Sequence, residues 1–162
     1  LEKYVELKGK NVLIIGAGGT AKAIGYGVHK KGAKVTVTYN RNKEKGLHLA
    51  KELNSKVVNI QDAGEEVIDI LINCSPVGMS PNQEETPISS RHLRKGMIVF
   101  DSVYNPPETR LIREAKMAGC IAISGVELFV NQAVEQFELW TGQKAPTGPM
   151  RDVVLKGLNG EV

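Results

Sequence analysis

A chain of 162 residues, 41% hydrophobic and 24% charged, has the length of one domain and enough apolar surface to build a core without metals or disulfides. That composition excludes wholesale disorder, the apolar runs fall well short of the ~20 residues of a membrane span, two cysteines exclude a disulfide scaffold, and no basic-then-apolar leader is visible. The net charge of +3 is unevenly shared, with 12 Lys/Arg against 4 Asp/Glu in residues 1–60 and 9 against 14 in residues 61–162, so the first part is the one suited to an anionic partner.

Apolar runs of strand length alternate with helical patterns from end to end. Residues 11–15 (NVLII) make the first predicted strand, bounded by Lys10 and Gly16. Ala21, Ile24, Gly25 and Val28 then recur at helical spacing. Residues 34–38 (KVTVT) are a β-branched strand, Leu47, Ala50 and Leu53 a short helical stripe, and residues 56–59 a weaker strand. Further strands fall at 69–73 (DILIN), 97–101 (MIVFD) and 120–123. Cys74 and Cys120, in or beside these runs, read as buried free thiols. Residues 80–86 (SPNQEET) form the clearest exposed loop. After the break at Asn105, Pro106 and Pro107 comes a helix carrying Leu111, Ile112, Ala115 and Ala118. Val126, Phe129, Val130, Ala133, Val134, Phe137 and Trp140 keep helical spacing over about four turns. Pro149 suits the first turn of a last helix, with Met150, Val153, Val154 and Leu158 on one face.

Continuous rather than alternating apolarity suits strands covered on both faces. Strand–helix alternation implies right-handed crossovers. The expected fold is therefore α/β, Rossmann-like and doubly wound, with a mainly parallel sheet and helices on both faces, over residues 1–162.

The strongest motif is the turn Gly16, Ala17, Gly18, Gly19, Thr20, Ala21, which leaves a strand and opens a helix. Glycines there permit a tight turn and let backbone N–H groups approach a pyrophosphate at the helix N-terminus. The next strand ends without the carboxylate that dinucleotide domains place on ribose hydroxyls when they use NAD. It runs instead into Asn40, Arg41, Asn42, Lys43, Glu44 and Lys45. Asn40 can bond a ribose hydroxyl, Arg41 offers a planar fork to a 2′-phosphate, and Lys45 adds a second positive charge. This pattern predicts NADP over NAD. Three later segments leave strand ends: residues 73–79 with Ser75, residues 101–106 with Ser102 and Tyr104, and residues 124–128 with Gly125. Loops at the carboxyl ends of parallel strands face the ligand crevice. Gln132 lies off the apolar stripe of the long helix and is expected to face that crevice.

Together these segments resemble the NADP-binding domain of the shikimate dehydrogenases. The family's GxGGxxRA loop is similar to residues 16–23, with Lys22 where arginine is usual. Its NRTxxR motif is similar to residues 40–45, with Asn42 for threonine and Lys45 for the second arginine. Its NxTPxGM loop is similar to residues 73–79, with Ser75 for threonine. An Asp–Tyr–Asn-Pro segment matches residues 101–106, and the terminal pattern matches residues 125–133 and 137–142, with Leu128 and Phe129 for methionine and leucine. The wording of residues 124–127 and 137–142 also resembles the forms fused to dehydroquinate dehydratase.

The resemblance implies reversible, NADP-dependent reduction of 3-dehydroshikimate to shikimate, or a related quinate/shikimate-type activity. It implies that Gly16, Ala17, Gly18, Gly19, Thr20 and Ala21 hold pyrophosphate, and that Asn40, Arg41 and Lys45 hold the phosphorylated ribose. Ser75, Ser102 and Gly125 would lie along the cofactor, and Tyr104 and Gln132 would approach the substrate. The family's catalytic lysine and aspartate lie in a preceding substrate domain. This chain is accordingly expected to be an excised cofactor domain with no catalytic residue of its own and little turnover alone, set against the alternative of a non-catalytic NADP-binding module. His29, His48 and His92 read as surface residues, no metal site is expected, and Asp101 is assigned a structural role at the sheet end. No nucleic-acid or membrane partner is expected. Self-association through an exposed domain interface is, and the expected compartment is the cytoplasm, or the plastid for a plant-type fusion.

Overall fold

Each strand alternates its side chains between two helical layers, and this splits the apolar residues into two cores. Val12 and Ile14 of β1 (Asn11–Ile15) face one layer, and Leu13 and Ile15 face the other. The computed structural model describes residues 1–39, 42–63 and 67–160. The remaining elements in chain order are α1 (Gly19–Lys30), β2 (Lys34–Tyr39), α2 (Lys43–Glu52), β3 (Lys56–Asn59), β4 (Ile70–Asn73), β5 (Ile98–Asp101), α3 (Arg110–Met117), β6 (Ile121–Ile123), α4 (Gly125–Thr141) and α5 (Thr147–Leu158).

Among the described residues six strands form one sheet in the order β3-β2-β1-β4-β5-β6, and every described pairing is parallel. The fold is the Rossmann-like α/β architecture that the strand–helix alternation predicts. Strand order reverses direction between β1 and β4, where Ile15 pairs with Asn73. At such a switch point the loops after the two strands diverge to opposite faces and leave a crevice.

One core is closed by Ala21 and Val28 of α1 with Leu49, Ala50 and Leu53 at α2, over Val35, Val37, Ile70 and Ile72. The other is closed by Leu111 and Ala115 of α3 over Leu71 and Val99. Full burial of each valine, leucine or isoleucine among them contributes about 1.5–3 kcal/mol. Two crossovers depart from strict alternation. Among the described residues, neither β3 to β4 nor β4 to β5 carries an α-helix. Pro76, Gly78, Pro81 and Pro87 interrupt residues 74–97, and a 3₁₀ turn at Ser90–His92 with the buried Ile88 and Leu93 covers the sheet instead.

The α4 stripe divides along its length. Val126 and Val130 are buried, whereas Phe129 is 39% and Trp140 77% exposed. On α5 no residue is buried, and Val153 is turned to solvent, away from half-buried Met150, Val154 and Leu158. Both cysteines are free but only half-buried, against the expectation of buried thiols. Cys120 begins before β6, and its thiol donates to the Arg94 carbonyl.

Candidate functional site

The turn after β1 owes its path to Gly16. Its φ is +110°, and a Cβ there would stand 3.0 Å from the Cys74 carbonyl oxygen in the loop after β4. The Cys74 N–H in turn donates to Ile15 at 2.8 Å. Glycine thus brings the two switch-point loops together. Gly18 and Gly19 differ, because a Cβ at either would meet nothing within 4 Å. Their bareness leaves open space in front of α1.

That space faces a helix end without a cap. Gly18 supplies no side-chain acceptor to the first turn of α1, and the turn has no acidic residue. The leading N–H groups of a helix have no intrahelical partner and carry positive partial charge. Ala21 is wholly buried, so it offers a ligand its N–H and its side chain to the core. Thr20 is exposed.

Across the space stands the first turn of α2. Asn42 caps it, its Oδ1 accepting from the Lys45 N–H at 2.9 Å. A cleft of about 460 Å³ is lined by Ala17, Gly18, Gly19 and Lys22 on one side and by Glu44, Lys45, His48, Leu49 and Glu52 on the other. The structure therefore places Lys45 across one cleft from the glycine turn. Asn40 and Arg41 lie outside the described residues. The cleft's other polar groups are Lys22, Glu44, His48 and Glu52; the sequence marks Lys22 only as the place of the family's usual arginine and gives no sign of its pairing with Glu52, whose carboxylate is 2.8 Å from the Lys22 ammonium.

A second hollow of about 360 Å³ is lined by Cys74, Ser75, Pro76, Met79, Ser80, Ser102, Val103, Tyr104 and Asn105. Its walls, the loops after β4 and β5, are tied by a buried network. Asn73 and Asp101 are cross-strand partners, and Asn73 Nδ2 donates to Asp101 Oδ1 at 2.9 Å. Asp101 also accepts from the Val103 N–H at 3.0 Å and from the Thr109 hydroxyl at 2.6 Å. Asn73 Oδ1 accepts from both the Ser75 N–H and its hydroxyl. The Ser75 hydroxyl is thus turned to its own loop. Burial pushes the Asp101 carboxyl above its usual range, opposed by the hydrogen bonds from Thr109, Val103 and Asn73. Burial also pushes the Cys74 thiol up to about 12, with the Asp101 charge adding, so this thiol is no nucleophile at neutral pH.

Gly125 stands behind this hollow and lines neither cleft. A Cβ on it would lie 2.3 Å from the Val103 carbonyl oxygen and 2.7 Å from that of Ser102. Glycine lets the start of α4 press on the β5 loop and hold Ser102 in place. Tyr104 stacks on Phe129 of α4, with ring centroids 4.7 Å apart. Gln132, three residues beyond Phe129 on α4, is exposed. Tyr104 and Gln132 are thus on neighbouring elements, and only Tyr104 lines the hollow. The three histidines are dispersed, and among the described residues no group of His, Cys, Asp and Glu could hold a metal.

Comparison with known proteins gives the family and the fold. Residues 1–108 match the family model for shikimate / quinate 5-dehydrogenase, and residues 125–155 that for the shikimate 5′-dehydrogenase C-terminal domain. The chain is 48% identical over 143 residues to the chloroplastic bifunctional 3-dehydroquinate dehydratase/shikimate dehydrogenase of Arabidopsis thaliana, covering 86% of this chain and 24% of that protein. It is 42% identical over 167 residues to the shikimate dehydrogenase (NADP(+)) of Methanosarcina acetivorans, covering 98% of this chain and 59% of the relative. Among solved structures, a shikimate dehydrogenase in complex with NADP+ superposes with a TM-score of 0.84 at 33% identity, over 93% of this chain and 55% of the other. Shikimate 5-dehydrogenase of Thermus thermophilus, in complex with NADP(H) and shikimate, gives 0.81 at 29% identity, over 94% and 57%. The chain spans between a quarter and three fifths of the length of these relatives.

Proposed function

The chain belongs to the shikimate / quinate 5-dehydrogenase family, and on that premise we propose that it binds NADP(H) and serves reversible reduction of 3-dehydroshikimate to shikimate in the whole protein. The observation that carries this is the uncapped N-terminus of α1, bared by Gly18 and Gly19 and facing Lys45 across an open cleft. A pyrophosphate fits there, because free N–H groups and the absence of carboxylates from the first turn of α1 favour an anion.

In this reading the amides of residues 16–21 hold the pyrophosphate. Asn40, Arg41 and Lys45 hold the 2′-phosphorylated ribose, and the absence of a carboxylate at the end of β2 removes the repulsion that would exclude that phosphate. Ser75 and Ser102 border the nicotinamide, with Gly125 fixing Ser102 from behind. Tyr104 and Gln132 approach the substrate from the β5 loop and α4. When bound, the nicotinamide supplies or takes the hydride. A carbonyl reduction also needs a positioned proton donor. Asp101 is fully engaged by three donors and Cys74 stays protonated, so we assign the donor and the substrate pocket to the part of the relatives that this chain does not span. The chain alone then binds cofactor with little turnover.

Amide NMR during titration with NADP+ tests the reading. Shifts should concentrate at Gly18, Gly19, Ala21 and Lys45. Shifts confined to α4 and α5, or none, would refute it.

A further inference from the structure

The cleft in front of α1 contains a carboxylate that an anion site does not need. Glu52, the last residue of α2, has one oxygen 2.8 Å from Lys22 Nζ and 3.2 Å from His48 Nε2. Its other oxygen accepts from the Tyr26 hydroxyl at 3.3 Å. Lys22 and Tyr26 are on α1 and His48 is on α2, so Glu52 bridges the two helices that frame the cleft. Its side chain is 23% exposed, against 51% for Lys22.

We propose that Glu52 tunes cofactor affinity by engaging Lys22, withholding from a bound phosphate the one cation carried by the first turn of α1. The inference rests on the cofactor reading above. Lys22 lines the same cleft as Gly18, Gly19 and Lys45, so its ammonium has two competing partners, the fixed carboxylate and an arriving phosphate. Glu44, also lining the cleft, has no cation within reach of its carboxylate among the described ion pairs, and Glu52 therefore determines whether Lys22 is available. The ion pair is exposed on one side, so breaking it is cheap and the effect on affinity is bounded at about two- to fivefold. Consistent with the engagement, the Lys22 ammonium is held above its ordinary pKa by its hydrogen bond to Glu52. Glu52 does not touch the reacting atoms in this account. It is a positioning residue for Lys22.

The test is a double-mutant cycle on binding, with Glu52→Gln, Lys22→Ala and the double variant titrated with NADP+ and with inorganic pyrophosphate. Glu52→Gln should tighten both ligands about two- to fivefold, and the gain should vanish in the Lys22→Ala background. An unchanged or weakened affinity in Glu52→Gln overturns the proposal, as does an equal gain with and without Lys22, which would mean general charge removal. A gain on pyrophosphate from a chain that does not bind NADP+ would overturn the cofactor reading and leave the role of Glu52 standing. NADP+ binding that ignores Glu52→Gln would do the reverse. Binding of neither ligand by any variant would overturn both. The Lys22 Nζ resonance gives a ligand-free check: its pKa should fall in Glu52→Gln, and no change would contradict the engagement.

Discussion

Asn73 and Asp101 face each other across β4 and β5, joined by a 2.9 Å hydrogen bond at the carboxyl end of the sheet. Each also grips its own outgoing loop, Asn73 through Ser75 and Asp101 through Val103, and Asp101 reaches the Thr109 cap of α3. One buried pair thus sets the separation of the two loops that wall the second hollow.

Replacing Asp101 by asparagine should therefore damage structure first. The amide would turn one donor toward Thr109, Val103 or Asn73, each already donating, and leave buried groups unpaired at about 1–3 kcal/mol each. Urea unfolding should show a loss of about 2–4 kcal/mol; a loss under about 0.5 kcal/mol, the range of an ordinary surface change, would contradict the network's role.

The same carboxyl gives a pH signature. Its folded-state pKa is raised by burial, so ionising it is harder in the folded chain than in the unfolded one. Its contribution to stability is full below the unfolded carboxylate pKa of about 3.9 and is lost as pH rises through the raised folded value. The stability difference between wild type and Asp101→Asn should accordingly be larger on the acid side of that window than at neutral pH. Urea titrations at the two ends measure it, and the opposite trend would mean that the hydrogen bonds outweigh desolvation.

Two glycines should respond in opposite ways to alanine. At Gly125 the new methyl would meet the Val103 carbonyl at 2.3 Å, backbone that can yield only by shifting α4, so stability should fall by about 3 kcal/mol or more. At Gly18, where φ is −86° and the space is open, stability should hold within about 0.5 kcal/mol while NADP+ binding weakens. Thermal unfolding and titration of both variants separate the roles, and equal effects on stability would refute the distinction.

These contrasts mark what the sequence could disclose. The glycine turn was legible because strand, turn and helix are contiguous, and Lys45 because it opens the helix after the next strand. All six strands were legible from short apolar runs, with ends differing by a residue. The Asn73–Asp101 bond was not, because it joins residues 28 apart through a register that only the folded sheet creates. The close approach of Gly125 to Val103 was not legible either, since it depends on how α4 docks. The Lys22–Glu52 bridge was missed for the same reason. The period of α4 disclosed a stripe but not its cover: Val126 and Val130 meet the core, while Phe129 meets Tyr104 and Leu139 and Trp140 meet solvent.

The Tyr104–Phe129 stack should couple the β5 loop to α4. Such a ring pair contributes about 0.5–1.5 kcal/mol beyond area burial. A double-mutant cycle with Tyr104→Ala and Phe129→Ala should return a coupling of that size in unfolding free energy, and strict additivity would show that the two rings act independently.

The central claim is tested most directly by calorimetric titration of the 162-residue chain with NADP+ and, separately, NAD+, repeated with Lys45→Ala and Arg41→Ala. NADP+ should bind more tightly than NAD+, and each substitution should weaken NADP+ by about tenfold or more, the scale of one lost charge-assisted hydrogen bond, while changing NAD+ little. Equal binding of the two nucleotides, or a preference that survives both substitutions, would contradict the account.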